Sequence, residues 1–397
     1  LLSAIRGYYQ GLKRMDIYSG SQVIEQFARV FAIIFFGWLL VRVLHYEGIY
    51  AVYVAILAAS IGAVAAYLYI LAGTYKQNKE IDLKAKVQES YYELKSKDII
   101  KEILAMGIPY VIMGFLDSAV PLINSRFFIP YATATGMSLL DAQKAMGIIM
   151  TNCVKIAAIP QVVSLGFSAG LVPYIASAYE SGDIATIRNN MKIIMESIAL
   201  IIIPVCLFIY FFAGGIYYIM FAPESLEPAT SYLANYMSVT LIYSFAPVLS
   251  TTIITLRYRK EAITNLIIAL VIKLIFFFMM VPSLGGNGMI FSSALAGTVQ
   301  LILDLSIFKK RFKYELKPLF KDSFLALLYS FISLIIPLAL AYFFPISYNG
   351  RITCMLYVAI YGIIFLATYI YLCIKTGLAA RALDRNISFK DLSKRFR

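Results

Sequence analysis

Residues 262–282 read AITNLIIALVIKLIFFFMMVP and follow directly on the basic run Arg257-Tyr258-Arg259-Lys260. At about 1.5 Å of helical rise per residue, a stretch of this length covers the roughly 30 Å of a bilayer's hydrocarbon core. One charge, Lys273, interrupts it. An apolar run of membrane length beside a basic anchor reads as a membrane-crossing helix. Nine more such stretches occupy 22–44, 50–73, 103–124, 143–168, 193–221, 231–256, 288–308, 323–344 and 352–374. Hydrophobic residues make up 61% of the chain and charged residues 14%, against about 25% charged in a soluble domain. The expected fold class is an all-α polytopic membrane protein with ten transmembrane helices, leaving no room for a soluble domain of ordinary size.

The basic residues carry an orientation. With the first residues placed in the cytoplasm and the spans alternating, the inner loops hold 28 of the 35 Lys and Arg. The outer loops hold three, Arg126, Lys144 and Arg351, while Arg29, Arg42, Lys155 and Lys273 fall within spans. Positive loops stay cytoplasmic, so both ends of the chain are expected on that side. The net charge of +13 is spread over those loops, where it meets membrane lipids and not nucleic acid.

The remaining chemistry is sparse. Cys153, Cys206, Cys354 and Cys373 all lie in predicted spans without close spacing, which argues against disulfides and metal sites. His45 is the single histidine, and no Gly-rich nucleotide loop is present. These features exclude an ATPase, a metalloenzyme or a hydrolase, and no cofactor is expected. His45-Tyr46-Glu47 is the sole candidate for a membrane-embedded transferase. The opening Leu1-Leu2-Ser3-Ala4-Ile5 resembles the last turns of an apolar helix, which implies further helices upstream.

Organisation follows from spacing. Residues 1–73 hold two spans, and 74–102 form a cytoplasmic linker with Ile81, Val87, Tyr91, Leu94 and Ile99 at roughly helical spacing, as in an amphipathic interfacial helix. Residues 103–308 hold six spans, 309–321 a basic loop, and 322–397 a terminal helix pair with a basic tail. The fourth span is too long for one straight crossing, since apolar sequence runs from Ala142 to Tyr179 through Pro160 and Pro173. A bend at Pro160 and an extension into the cytoplasm would absorb the surplus.

Ionisable groups inside hydrocarbon face protein or a wet cavity. Lys155 lies near mid-depth of the fourth span, as a contact for an anionic substrate or as half of an ion pair with Asp117. Asp117 and Asn124, two turns apart on the third span, and Arg126 near its outer end are further cavity candidates, as is Lys273. Glu25 and Arg29, spaced i, i+4, suit a structural pair. Asp304 and Glu196 lie near membrane faces, where hydration accounts for them. A cavity containing Lys155 and Lys273 would repel cationic drugs and attract diphosphate or carboxylate cargo.

Several passages resemble one family. Ile5-Arg6-Gly7-Tyr8-Tyr9-Gln10-Gly11 followed by Ser21-Gln22-Val23-Ile24-Glu25-Gln26-Phe27-Ala28-Arg29-Val30 is similar to MurJ-like lipid II flippases and their stage V sporulation protein B relatives. These belong to the multidrug/oligosaccharidyl-lipid/polysaccharide exporter superfamily. Ala158-Ile159-Pro160, Leu171-Val172-Pro173-Tyr174 and the run from Arg257 to Lys273 extend the resemblance over most of the chain. It implies a two-lobe, MATE/MurJ-like bundle in a bacterial plasma membrane that lacks its first helices here. Residues 1–73 would end the N-terminal lobe, and 103–308 would form the C-terminal one. It further implies a lipid-linked glycan substrate, cell-wall synthesis enzymes as partners, coupling to membrane potential or an ion gradient, and a substrate contact at Lys155. Lysine stands there where arginine is expected in some members.

Overall fold

The computed structural model describes residues 2–12, 14–85, 96–221 and 226–383. All of the regular structure in these residues is helical. The first helices are α1 (Leu2–Gly11), α2 (Met15–Trp38), α3 (Gly48–Ala85), α4 (Ser96–Ala134), α5 (Leu139–Gly147), α6 (Val154–Glu180), α7 (Ile184–Phe211) and α8 (Ala213–Met220). They are followed by α9 (Leu226–Tyr243), α10 (Ala246–Thr255), α11 (Arg259–Leu284), α12 (Gly286–Phe312), α13 (Leu316–Phe343), α14 (Arg351–Lys375) and α15 (Leu378–Leu383). Ten helical stretches are long and apolar enough to cross a membrane. The chain divides into two compact units, Leu1–Ile100 and Lys101–Arg397. The amphipathic reading of 74–102 turns on side chains that lie outside the described residues, as does the tail from 384.

In the first unit α2 and α3 pack along each other, with α1 against both. Gly62 permits the approach, because a Cβ there would stand 2.6 Å from the Glu25 backbone oxygen. Glu25 holds the unit's polar centre. Its two carboxylate oxygens take Arg29 at 2.8 Å and Arg6 at 2.9 Å, and Arg6 Nε also donates to Ser21 Oγ at 2.8 Å. The Arg6 to Arg29 passage thus folds into one cluster, which joins α1 to α2 by charge beside the apolar contact of Tyr9 with Ile17 and Ile70.

The second unit has an apolar core, as a soluble protein does, but an apolar exterior as well. Its outward side chains are large and apolar, among them Phe115, Val162, Ile335 and Tyr342, while Lys273, Asp304, Glu196, Gln300 and Asn265 are buried. That is the arrangement a low-dielectric surround demands, since polar groups there must find partners inside the protein. Helices α11 and α12 form an extensive antiparallel pair, α13 packs on α7 and α14, and α9 packs on α7 and α12.

Several span boundaries differ from the sequence reading, and the shifts move basic residues into helices. The third span is Val111–Ala134, not 103–124, so Arg126 sits within a continuous helix and not in an outer loop. The helix continues because its backbone has no other partner in an apolar medium. It stops where Gly136 adopts a φ of 108° and Ser138 Oγ caps α5 by accepting the Asp141 N–H. Lys144 likewise lies on α5 and not in a loop. The fifth span begins at Ile184 and ends at Phe211, with Asp183 capping it through the Thr186 N–H at 3.0 Å. Arg188 and Lys192 are therefore helical.

The fourth span is one helical run of 42 residues, Leu139–Glu180, with a π-helical segment at Ile148–Cys153 and both Pro160 and Pro173 inside it. The sixth span is broken, α9 ending at Tyr243 and α10 starting at Ala246 with Pro247 in its first turn. At the α11–α12 reversal Gly285 has a φ of 53°, and a Cβ on Gly288 would stand 2.5 Å from the Met280 carbonyl. Gly288→Ala is expected to cost about 1–3 kcal/mol by overpacking, read as a lowered melting temperature of the purified protein. Gly107→Ala, with nothing within 4 Å of its Cβ, is expected to leave it unchanged.

Candidate functional site

The second unit contains a pocket of about 260 Å³ walled by α4, the start of α6, α9 and α12. Its polar lining is Asp117, Asn124, Gln161, Tyr236, Tyr243 and Ser293, set among apolar side chains. Asp117 and Asn124, seven residues apart, share a face of α4. Asn124 is buried with its Nδ2 facing Met150 Sδ at 3.8 Å, and its Oδ1 has no hydrogen-bond partner. Arg126, two positions on, falls on the opposite face of the helix and is exposed. Val154 and Gln161 face the pocket from α6, which turns Lys155 about 100° away onto the exposed surface of that helix.

The structure therefore brings Asp117 and Asn124 together and leaves Lys155 and Arg126 outside this pocket. Lys155 and Asp117 form no ion pair, because they lie on different faces of the packing. Lys273 is 0% exposed and lies behind the pocket wall, not in it. Its ammonium donates to the Met289 carbonyl at 2.9 Å, Ser292 Oγ at 2.9 Å and Ser293 Oγ at 2.8 Å, with the Phe277 ring at 5.1 Å. No carboxylate pairs with it among the described ion pairs; three oxygens and an aromatic face replace the lost hydration. Ser293 belongs both to this cage and to the pocket wall, so the lysine fixes a lining hydroxyl.

Further along α12, Asp304 accepts from Asn265 Nδ2 at 2.8 Å. Asp304 and Glu196 are each only 2% exposed, so hydration does not account for them as the sequence reading had it. The reason is packing. Helices α13 and α15 cover α7, and α11 and α10 lie against α12, so both carboxylates are enclosed by neighbouring helices.

Beside the pocket, α6 grips the break in the sixth span. Ser164 Oγ donates to the Ser244 carbonyl, and Ser168 Oγ donates to the Pro247 carbonyl at 3.2 Å. These serines satisfy carbonyls near the interruption between α9 and α10. Discontinuous helices in transporters lie at substrate and ion sites. The small residues of α6 were legible in the sequence as a close-contact surface; the break was missed, although Pro247 in the first turn of α10 is a signal for it. Gln161, Tyr236, Tyr243 and Ser293 were also missed, although a polar side chain in an apolar span is a signal in itself.

The buried cage and the exposed cation separate in a stability measurement. Lys273→Met is expected to destabilise the purified protein by about 1–3 kcal/mol, as buried acceptors lose their donor. Lys155→Ala is expected to leave the melting temperature unchanged.

Comparison with known proteins agrees with this architecture. The family model of the lipid II flippase MurJ matches residues 16–381. The lipid II flippase MurJ of Bacillus subtilis (strain 168) is 25% identical over 394 residues, 98% of this chain and 72% of that protein. Stage V sporulation protein B of the same organism is 25% identical over 323 residues, 77% of this chain and 59% of that protein. A solved structure of lipid II flippase MurJ in an inward closed conformation superposes with a TM-score of 0.55 at 14% identity, over 95% of this chain and 71% of that one. At that identity the structural likeness shows the fold, while the sequence match over most of the chain shows the family. With ten membrane helices, buried polar groups around a broken span and a family match over residues 16–381, the chain belongs to the MurJ lipid II flippase family, multi-pass membrane transporters and not enzymes.

Proposed function

We propose that this protein moves lipid II, an undecaprenyl-diphosphate-linked peptidoglycan precursor, from the inner to the outer leaflet of a bacterial plasma membrane. The family match over residues 16–381 is the observation that carries the reading. Both described ends face the cytoplasm in this proposal, on the strength of the basic loops. Transport runs by alternating access, with 103–308 acting as one lobe, 74–102 as the linker, 309–321 as a basic segment that is helical except at 313–315, and the pair within 322–397 offering an apolar path for the polyprenyl tail. The broken sixth span and the prolines of α6 supply places where helices can bend. Lys155 is the contact for the diphosphate. It is exposed on α6 and free of ion pairs, as a residue that meets a mobile anion must be. Asp117 and Asn124 line the adjoining pocket and contact the polar part of the cargo or a coupling ion; membrane potential or an ion gradient drives the cycle.

A second reading is translocation of another lipid-linked oligosaccharide, since a diphosphate contact at Lys155 would not distinguish one glycan from another. A drug exporter of the wider superfamily would call for an acidic cavity, and Asp117 is the one carboxylate in the lining of this pocket.

The test is complementation. The full-length protein is expressed in a bacterium depleted of its lipid II flippase, and Lys155→Ala and Lys155→Arg are compared at matched membrane levels. Wild type and the Arg variant are expected to restore growth and lipid II translocation. The Ala variant is expected to lose about tenfold or more in rate, the worth of one charge-assisted contact. Well-expressed wild type that fails to rescue would favour the other glycan, and full rescue by Ala would remove Lys155 from the site.

A further inference from the structure

A second pocket, of about 410 Å³, opens at the end of the second unit where the basic residues gather, between the first turns of α7 and the α12–α13 turn. Arg188 and Lys192 line it from α7, one helical turn apart. Both are exposed, and neither takes part in the ion pairs of the described residues. Asn189 lies between them, and Glu315 is the single carboxylate of the wall. Lys309, Lys310, Arg311, Lys313, Lys317 and Lys321 lie along the adjoining ends of α12 and α13, outside the pocket wall.

An independent feature points to a ligand. Lys313 takes the left-handed conformation, with φ 51°, and turns the chain back so that Tyr314 N–H reaches the Phe308 carbonyl at 3.2 Å. The Tyr314 ring then packs into the core with Phe312 and Leu319, only 4% exposed. Its hydroxyl is buried without a hydrogen-bond partner, although Tyr314 lines the pocket. A phenol is a protonated donor at neutral pH, and burial, then the charge of nearby Glu196, hold its pKa higher still. A buried donor left without an acceptor is costly, and an acceptor brought by a ligand relieves it.

We propose that this pocket is a binding site for the phosphate of an anionic phospholipid head group, with Arg188 and Lys192 as its cationic contacts and Tyr314 as its neutral donor. The location argues for lipid as the source. The pocket lies at the polar ends of three membrane-crossing helices, where a phosphodiester sits and where basic pockets between helices take such head groups. Asn189 and Glu315 add acceptors for hydroxyl groups, which suits a glycerol head group. The site stands apart from the substrate pocket and does not rest on the proposed cargo.

The experiment titrates the purified, delipidated protein in detergent with phosphatidylglycerol, phosphatidylcholine or sodium phosphate, following bound lipid by native mass spectrometry. Phosphatidylglycerol is expected to bind about tenfold more tightly than phosphatidylcholine. Arg188→Gln with Lys192→Gln is expected to reduce that preference to less than about twofold. Tyr314→Phe, which keeps the ring in the core, is expected to weaken phosphatidylglycerol about three- to tenfold and leave phosphatidylcholine unchanged, as loss of one hydrogen bond requires. Lys309→Gln with Lys310→Gln removes equal charge outside the pocket and is expected to keep the preference. Equal binding of the two lipids by the wild type overturns the proposal, as does an equal loss in the Lys309/Lys310 control, which would mark diffuse surface charge. Displacement of phosphatidylglycerol by millimolar inorganic phosphate would assign the pocket to the free anion and overturn the lipid assignment.

Discussion

The constraint behind this structure is that a polar group surrounded by hydrocarbon must be satisfied from within the protein. It keeps each span helical beyond the point where the sequence becomes polar, as α4 shows by carrying Arg126 within its length and stopping only at Gly136. It also decides where the charges go. Lys273 is enclosed by a carbonyl, two hydroxyls and an aromatic face; Asp304 is held by Asn265; Glu25 is shared by two arginines. Three solutions to one problem appear in one chain, and only one of them is a salt bridge in the usual sense.

The same constraint separates structural cations from available ones. A lysine whose three protons are already donated has little to offer a substrate, which is the position of Lys273. Lys155 and the Arg188–Lys192 pair keep their charge uncommitted on accessible surfaces, and an ammonium or guanidinium so placed is free to meet an anion. The distinction is invisible in composition, where each is simply a basic residue in or near a span. It follows from which helix face a residue occupies and what stands opposite.

The interruption between α9 and α10 gives the second unit its irregular centre. Carbonyls near the break are capped by serines of α6, so the small residues of that helix serve as hydrogen-bond donors as well as a close-packing surface. The polar pocket abuts the same elements, with Tyr236 and Tyr243 from α9 and Gln161 from α6. A helix that breaks while a neighbour satisfies its carbonyls is able to bend at low cost.

Much of this was open to reading from the chain alone. An unbroken apolar run of about 20 residues reads as a membrane-crossing helix, because a helix satisfies its backbone within one segment, and ten such lengths give ten spans. The Arg6 to Arg29 passage carried the family resemblance because its polar types and spacing are unusual so close to an apolar run. What tertiary structure decided was the depth and partnership of each polar side chain. Glu196 and Asp304 read as edge residues and are buried, since α13 and α15 close over α7 and α11 packs along α12. Tyr314 read as part of a basic loop and is a core residue with an unspent donor, because one left-handed residue, Lys313, folds it inward. Periodicity fixes which face a side chain occupies; only packing determines what waits on that face.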